Sequence, residues 1–191
     1  MTTEGKNGAS HIGVVGGIAS GKSTICGVLQ RFGFAVISLS DLIVDEARSR
    51  GMELATRAQY FQLGDEMRYH RGRDILARLA ADEVCRRGWR HFVIEGVRTT
   101  GEARFLRSTF PDILLIGVET PLEERLRRVK ARSREIDPLD HDLILKNIER
   151  ENSTNGDGCE LLAVMEMTDL RISGELSAAE TATSLLSIIT R

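Results

Sequence analysis

The chain lacks an excess of either charge. Twenty-six Lys and Arg stand against 28 Asp and Glu, a formal net charge of −2 over 191 residues. That argues against the global basic surplus typical of nucleic-acid binders. No apolar run is long enough to cross a bilayer. The opening MTTEGKNGAS is polar and lacks the apolar core of a signal peptide. Residues 1–10 are therefore expected to be a flexible leader, with no membrane partner and a cytoplasmic location. The three cysteines, Cys26, Cys85 and Cys159, are odd in number, far apart and without metal-type spacing. They read as reduced structural thiols. The histidines His11, His70, His91 and His141 form no ligand motif. Repeats, low-complexity tracts and linkers are also missing, so residues 11–191 are expected to form a single domain. A composition of 41% hydrophobic and 28% charged residues suits a globular protein with a real core.

What is present is an alternation. Short aliphatic runs at 11–15, 35–38, 92–95, 113–118 and 169–172 read as parallel strands covered on both faces. Helical patterns lie between them, several with start signals. Thr99 stands three residues before Glu102 and Ser177 three before Glu180, while Thr120 precedes Pro121 and Glu123. Leu122, Leu126 and Val129 form one apolar stripe. Ala182, Leu185, Leu186 and Ile189 form another. The fold class is α/β, with right-handed crossovers. Residues 51–73 and 132–159 fit the rhythm less well and are rich in charge and glycine.

Between the first apolar run and the first helical pattern lies GGIASGKST. Gly16, four residues, then Gly21-Lys22-Ser23 completes the Walker A pattern. The glycines let backbone wrap a phosphate, and the following helix adds its positive end. Gly16, Gly17, Ala19, Ser20, Gly21, Lys22, Ser23 and Thr24 are the expected nucleotide-binding residues. Lys22 reaches the terminal phosphates, and the Ser23 hydroxyl serves Mg2+. ATP and Mg2+ are the expected cofactors. An Asn-Lys-x-Asp guanine reader is missing, and the chain is short for a transporter-type ATPase. Both point to a small-molecule kinase.

Other candidates are basic or acidic. Arg68 and Arg73 precede a helical pattern that starts at Ile75, where guanidinium forks and the helix dipole would together favour phosphate; a solvated basic helix start is the alternative. RLRRVKARSREIDP is the densest basic run, with Arg128 and Arg132 four apart on one helical face. A salt-bridged solvent face is the alternative there. No aromatic residue interleaves with these charges, which argues against a nucleic-acid surface. Ser38 and Asp41 could form an ordinary capping pair.

Several stretches also resemble known families. HFVIEGVR resembles the D-G-x-R strand end of nucleoside monophosphate kinases, with Glu95 in place of Asp. The resemblance implies that Glu95 lies near Mg2+ or its waters and that Arg98 grips the acceptor. VISLSDLIVDEARSRG resembles the acceptor region of adenylate-kinase-like enzymes and the V-I-D-A-D region of dephospho-CoA kinases. The latter makes Asp41 a candidate base. With VVGGIASGKST, LGDEMRYHRGRDILARLAADEV and RSREIDP in the same order, the chain over 12–172 resembles a largely archaeal family of nucleotide-kinase-like ATPases, within the P-loop nucleotide kinase superfamily. This implies a P-loop three-layer fold, a five-stranded parallel sheet ordered 2-3-1-4-5, an acceptor insertion at about 40–88 and a small helical lid at about 128–158. It implies catalytic roles for Lys22, Asp41, Glu95 and the lid arginines Arg128, Arg132 and Arg134. Asp41, Arg68, Arg73 and Arg98 would bind the acceptor, and Ser23 and Glu95 the metal. Ser173 and Gly174 depart from the Asn that this family carries after its fifth strand. The expected partner is a small-molecule phosphate acceptor, most simply a nucleoside monophosphate; alternatives are dephospho-CoA or a metabolite hydroxyl, or no acceptor at all in a regulatory ATPase or binding protein. A monomer or homodimer is expected.

Overall fold

A computed structural model describes residues 9–132, 141–152 and 159–189. From the N-terminus the elements are β1 (His11–Val15), α1 (Lys22–Arg31), β2 (Ala35–Ser38), α2 (Leu39–Ser49), α3 (Arg57–Arg71), α4 (Ile75–Arg87), β3 (Phe92–Val97), α5 (Thr100–Thr109), β4 (Leu114–Glu119), α6 (Leu122–Arg132), α7 (His141–Glu151), α8 (Leu161–Met165), β5 (Leu170–Ser173) and α9 (Ala178–Ile189). The strands form one parallel sheet, ordered β2-β3-β1-β4-β5. Such pairing leaves both faces of each central strand to be covered by crossover helices. Ile12, Val14, Val93 and Ile116 meet Ile25, Leu29 and Leu185 of α1 and α9 on one face. Ile94 and Leu115 meet Leu76, Leu106 and Val164 of α4, α5 and α8 on the other. Each of these side chains is fully or nearly fully buried, a gain of about 1.5–3 kcal/mol apiece relative to exposure.

Two start signals act as read. Thr99 and Glu102 form a reciprocal capping box, and Ser177 and Glu180 exchange the same bonds. Thr120 does something else: its hydroxyl donates to the Ser20 carbonyl oxygen at 2.7 Å, tying the end of β4 to the glycine-rich turn. Residues 51–73, which break the alternation in the sequence, contain the 15-residue helix α3. Its own box, Thr56 with Gln59, marks the start. Leu186 is largely exposed, so only Leu185 of that adjacent pair reaches the core.

Strand β3 runs two residues past its expected end. Its pairing with β1 slips between Val14 and Val15, which face Glu95 and Val97. Gly96 is the extra residue, at φ 90°, a conformation that glycine enters without strain. The bulge resets the alternation. Glu95 stays on the α1 side of the sheet, while Val97 returns to the opposite core. Among the described residues no helix is long and apolar enough to cross a membrane.

Candidate active site

The turn between β1 and α1 lies at the C-terminal end of the central strand, the usual crevice of open parallel sheets. Ala19 adopts a left-handed φ of 58°, and Gly21 follows at 97° as the residue before α1. Glycine offers no capping side chain, so first-turn N–H groups of α1 remain available to an anion. The turn closes on itself through Ser20 N–H to the Gly17 carbonyl at 3.2 Å. At Gly17 the α6 side chain of Arg125 comes close. A Cβ on Gly17 would lie 2.3 Å from Arg125 Nη2. Among the described residues the buried Ser20 hydroxyl has no hydrogen-bond partner, so one polar group of the turn is left for a ligand. The cradle and this orphaned hydroxyl fit a polyphosphate.

Lys22 is buried, and its Nζ donates to the Gly17 carbonyl at 2.8 Å. Burial first, then the Arg98 guanidinium, lowers its pKa to about 8. Below pH 8 the protein therefore carries the cost of a buried ammonium, and this is relieved as pH rises from about 8 towards 10.5, the unfolded value. An incoming polyphosphate reverses the shift. Binding of ATP at pH 8.5 is expected to take up a fraction of a proton, so affinity weakens as pH rises through 8. Calorimetry in buffers of different ionisation enthalpy reads this directly, and a buffer-independent enthalpy would refute it.

Lys22, Ser23 and Gly21 line a cavity of about 110 Å³ together with Ser40, Arg57, Glu95 and Arg98. Glu95 reaches it from the end of β3, beside the Cys26 thiol, which hydrogen-bonds to it. Burial and then this carboxylate push the Cys26 pKa upwards, keeping the thiol neutral. Arg98 follows the bulge. Burial opposes its charge, but the Glu151 carboxylate together with Cys159 and Tyr60 outweighs this and holds it protonated.

Glu151 is the centre of a buried network. It closes α7, is 1% exposed, and accepts from Arg98 Nη1, from Arg125 Nη2 at 3.2 Å and from the Ile18 N–H at 2.7 Å. Arg125 also donates to the Ile18 carbonyl at 2.7 Å. One turn further along α6, Arg128 donates from Nη1 to the Ala19 carbonyl at 3.4 Å, with Glu124 accepting from its Nε. On the far side Gly174, just after β5, packs against the turn so closely that a Cβ there would fall 1.8 Å from the Ser20 carbonyl oxygen.

Lys22, Ser23, Glu95, Arg98 and Arg128 thus converge on the turn. Three expected acceptor residues do not. Asp41 is exposed, in the first turn of α2, and faces a separate groove along β2, with Asp45 and Trp89. Burial and Asp45 raise its pKa. The helix turns Ser40, not Asp41, towards Lys22, because adjacent residues point about 100° apart. Arg68 is buried against Glu102, with Nε and Nη2 at 3.1 and 3.0 Å from its Oε1. Arg73 pairs with Glu160 at 3.1 Å. Arg132 ends α6, and Arg134 lies outside the described residues, as do parts of the expected leader and lid. Ser40, Arg57, Arg125 and Glu151 join the site unannounced. Arg125 was legible, three residues before Arg128 on the same face. Glu151 carried no signal, because an acid at a helix C-terminus looks merely misplaced. Among the described residues no group of three or more His, Cys, Asp or Glu could hold a metal ion.

The family model described as an AAA domain matches residues 15–142. A UPF0200 protein of Methanothrix thermoacetophila is 38% identical over 126 residues, covering 66% of this chain and 68% of that protein. One from Methanoregula boonei is 31% identical, covering 88% and 90%. The fold is similar to a shikimate kinase from Bacteroides thetaiotaomicron, with a TM-score of 0.65, 13% identity and coverage of 95% and 98%. It is also similar to a gluconokinase from Sinorhizobium meliloti, with a TM-score of 0.54, 16% identity and coverage of 97% and 94%. With a complete phosphate-binding turn on a 2-3-1-4-5 sheet and relatives of this extent, the chain belongs to the archaeal UPF0200 family and carries its AAA-type, P-loop kinase-like domain.

Proposed function

We propose that the protein is an ATP-dependent small-molecule kinase that passes the γ-phosphoryl group to a small anionic acceptor, of which a nucleoside monophosphate is the leading candidate. One observation carries this reading: Lys22, Ser23, Ser40, Arg57 and Arg98 line a single cavity, in which the first two would serve the donor and the other three an acceptor anion. Phosphoryl transfer asks a protein mainly for positioning and charge neutralisation. In this reading Lys22 and Arg128 would neutralise donor charge, and Arg57 and Arg98 would orient the acceptor. An Mg2+ ion arriving with the nucleotide would be held by the Ser23 hydroxyl, with Glu95 nearby, and would neutralise phosphate charge. A phosphate acceptor is already ionised and needs no base.

A hydroxyl acceptor is the second reading, favoured by Glu95. It is the carboxylate lining this cavity, so it takes over the base role expected of Asp41. The similar folds of a shikimate kinase and a gluconokinase agree with this alternative.

The test is ADP release from ATP with Mg2+ against nucleoside monophosphates, dephospho-CoA and small hydroxy acids, with products identified by mass. Acceptor-stimulated release is expected, falling at least about 100-fold in Lys22→Ala. Glu95→Gln distinguishes the two readings: it should nearly abolish transfer to a hydroxyl but only slow transfer to a phosphate. Release indifferent to every acceptor would overturn the kinase reading in favour of an ATPase.

A further inference from the structure

Glu151 does in the free protein what a phosphate would do. Its two carboxylate oxygens take one N–H of the phosphate-binding turn, from Ile18, and two guanidinium groups, from Arg98 and Arg125. All three donors belong to the site itself. The carboxylate is 1% exposed, and it sits on the last residue of α7, where the helix dipole works against an acid. Helix propensity therefore does not explain its place; the three donors do. The rest of α7 is docked independently. Ile144 and Ile148 are buried, and the Arg150 guanidinium lies 5.3 Å from the Phe61 ring centre.

We propose that Glu151 is a built-in surrogate anion, which occupies the γ-phosphate side of the turn in the free protein and must withdraw when the nucleotide binds. The proposal rests on the nucleotide reading of the site. An N–H cannot donate fully to a carboxylate and a phosphate together, and two such anions side by side repel strongly in a water-poor setting. A polyphosphate carries more charge than the carboxylate and can displace it, at a price in affinity equal to the fraction of molecules with the site already clear. Displacement frees Arg125 for the nucleotide phosphate and Arg98 for the acceptor anion. The cations thus stay neutralised until a nucleotide arrives, and the last turn of α7 registers its arrival.

Calorimetric titration of wild type and Glu151→Gln with ATP and with inorganic pyrophosphate tests this, alongside a thermal melt. A folded Glu151→Gln is expected to bind both about tenfold tighter, because the neutral amide competes poorly for guanidinium. Hydrogen exchange on wild type is the second readout. ATP should speed exchange of amides in residues 148–152 and slow that of Ile18. If wild type binds ATP but a folded Glu151→Gln binds no tighter, Glu151 is a tether and the proposal falls. If the variant does not fold, the exchange result decides, and unchanged or slower exchange at 148–152 overturns the proposal. If neither protein binds ATP or pyrophosphate, the nucleotide reading falls and takes the proposal with it.

Discussion

Arg68→Ala is expected to lower the unfolding free energy by about 3–5 kcal/mol, the usual cost of stripping one partner from a buried ion pair. For a chain of this size that is a melting point lower by roughly 6–20 °C. The reason is Glu102. It is completely buried, and its two oxygens accept from Arg68 Nε and Nη2, from the Arg98 N–H at 2.8 Å and from the Thr99 N–H at 3.1 Å. Without Arg68 the carboxylate keeps two backbone donors but loses its cation in a dry setting. Burial opposes the charge of Arg68, and Glu102 overcomes that opposition. A double replacement, Arg68→Met with Glu102→Leu, should recover much of the loss, less the capping-box bonds. Thermal unfolding of the three variants decides. A single variant that melts like wild type but raises the acceptor KM would return Arg68 to the role first read from the sequence.

Gly174→Ala is expected to cost about 1–3 kcal/mol by overpacking and to weaken nucleotide binding at least about tenfold. The added methyl would meet the Ser20 carbonyl oxygen at 1.8 Å and Thr120 Oγ1 at 2.3 Å. The first is backbone of the phosphate-binding turn and has nowhere to retreat, since its oxygen also holds the Thr120 hydroxyl. Relief must come from separating the segment after β5 from the turn. The Gly174 N–H to Glu119 carbonyl bond, 2.7 Å, resists that movement. Titration with ATP beside a melting curve separates the two effects. Wild-type affinity in Gly174→Ala would show that the turn tolerates the displacement. The residue that departs from the family pattern is thus one that the local geometry demands.

The fold was largely legible because its signals are local. Aliphatic runs, capping boxes and the Walker A turn each need only a handful of adjacent residues. The region 51–73 was harder. Charge and glycine hid α3, although its Thr56–Gln59 box was there to be read. The bulge at Gly96 was not legible, since a strand gains an extra residue only in relation to its neighbour. The candidate site divides in the same way. Lys22, Ser23, Glu95 and Arg98 lie on or beside two adjacent strands, so their positions follow from the alternation. Arg68 and Asp41 could not be placed, because their roles depend on which way a helix faces and on a partner dozens of residues away. Arg68 carries the charge expected of an anion binder, but Glu102 claims it. Glu151 was invisible for the opposite reason: one of its partners, Arg98, was an expected site residue, yet nothing near Glu151 in sequence pointed to it.

The topology also bears on how the protein is made. Strand β1 carries the phosphate-binding turn, and its two neighbours are β3 and β4, both far along the chain. One edge of β1 waits for β3, which ends at Val97, and the other for β4, which ends at Glu119. A nascent chain therefore exposes an unpaired aliphatic strand until β3 and β4 have followed, and closing it requires long-range contacts of the kind that slow folding. The earliest functional motif in the sequence is among the last to acquire its framework.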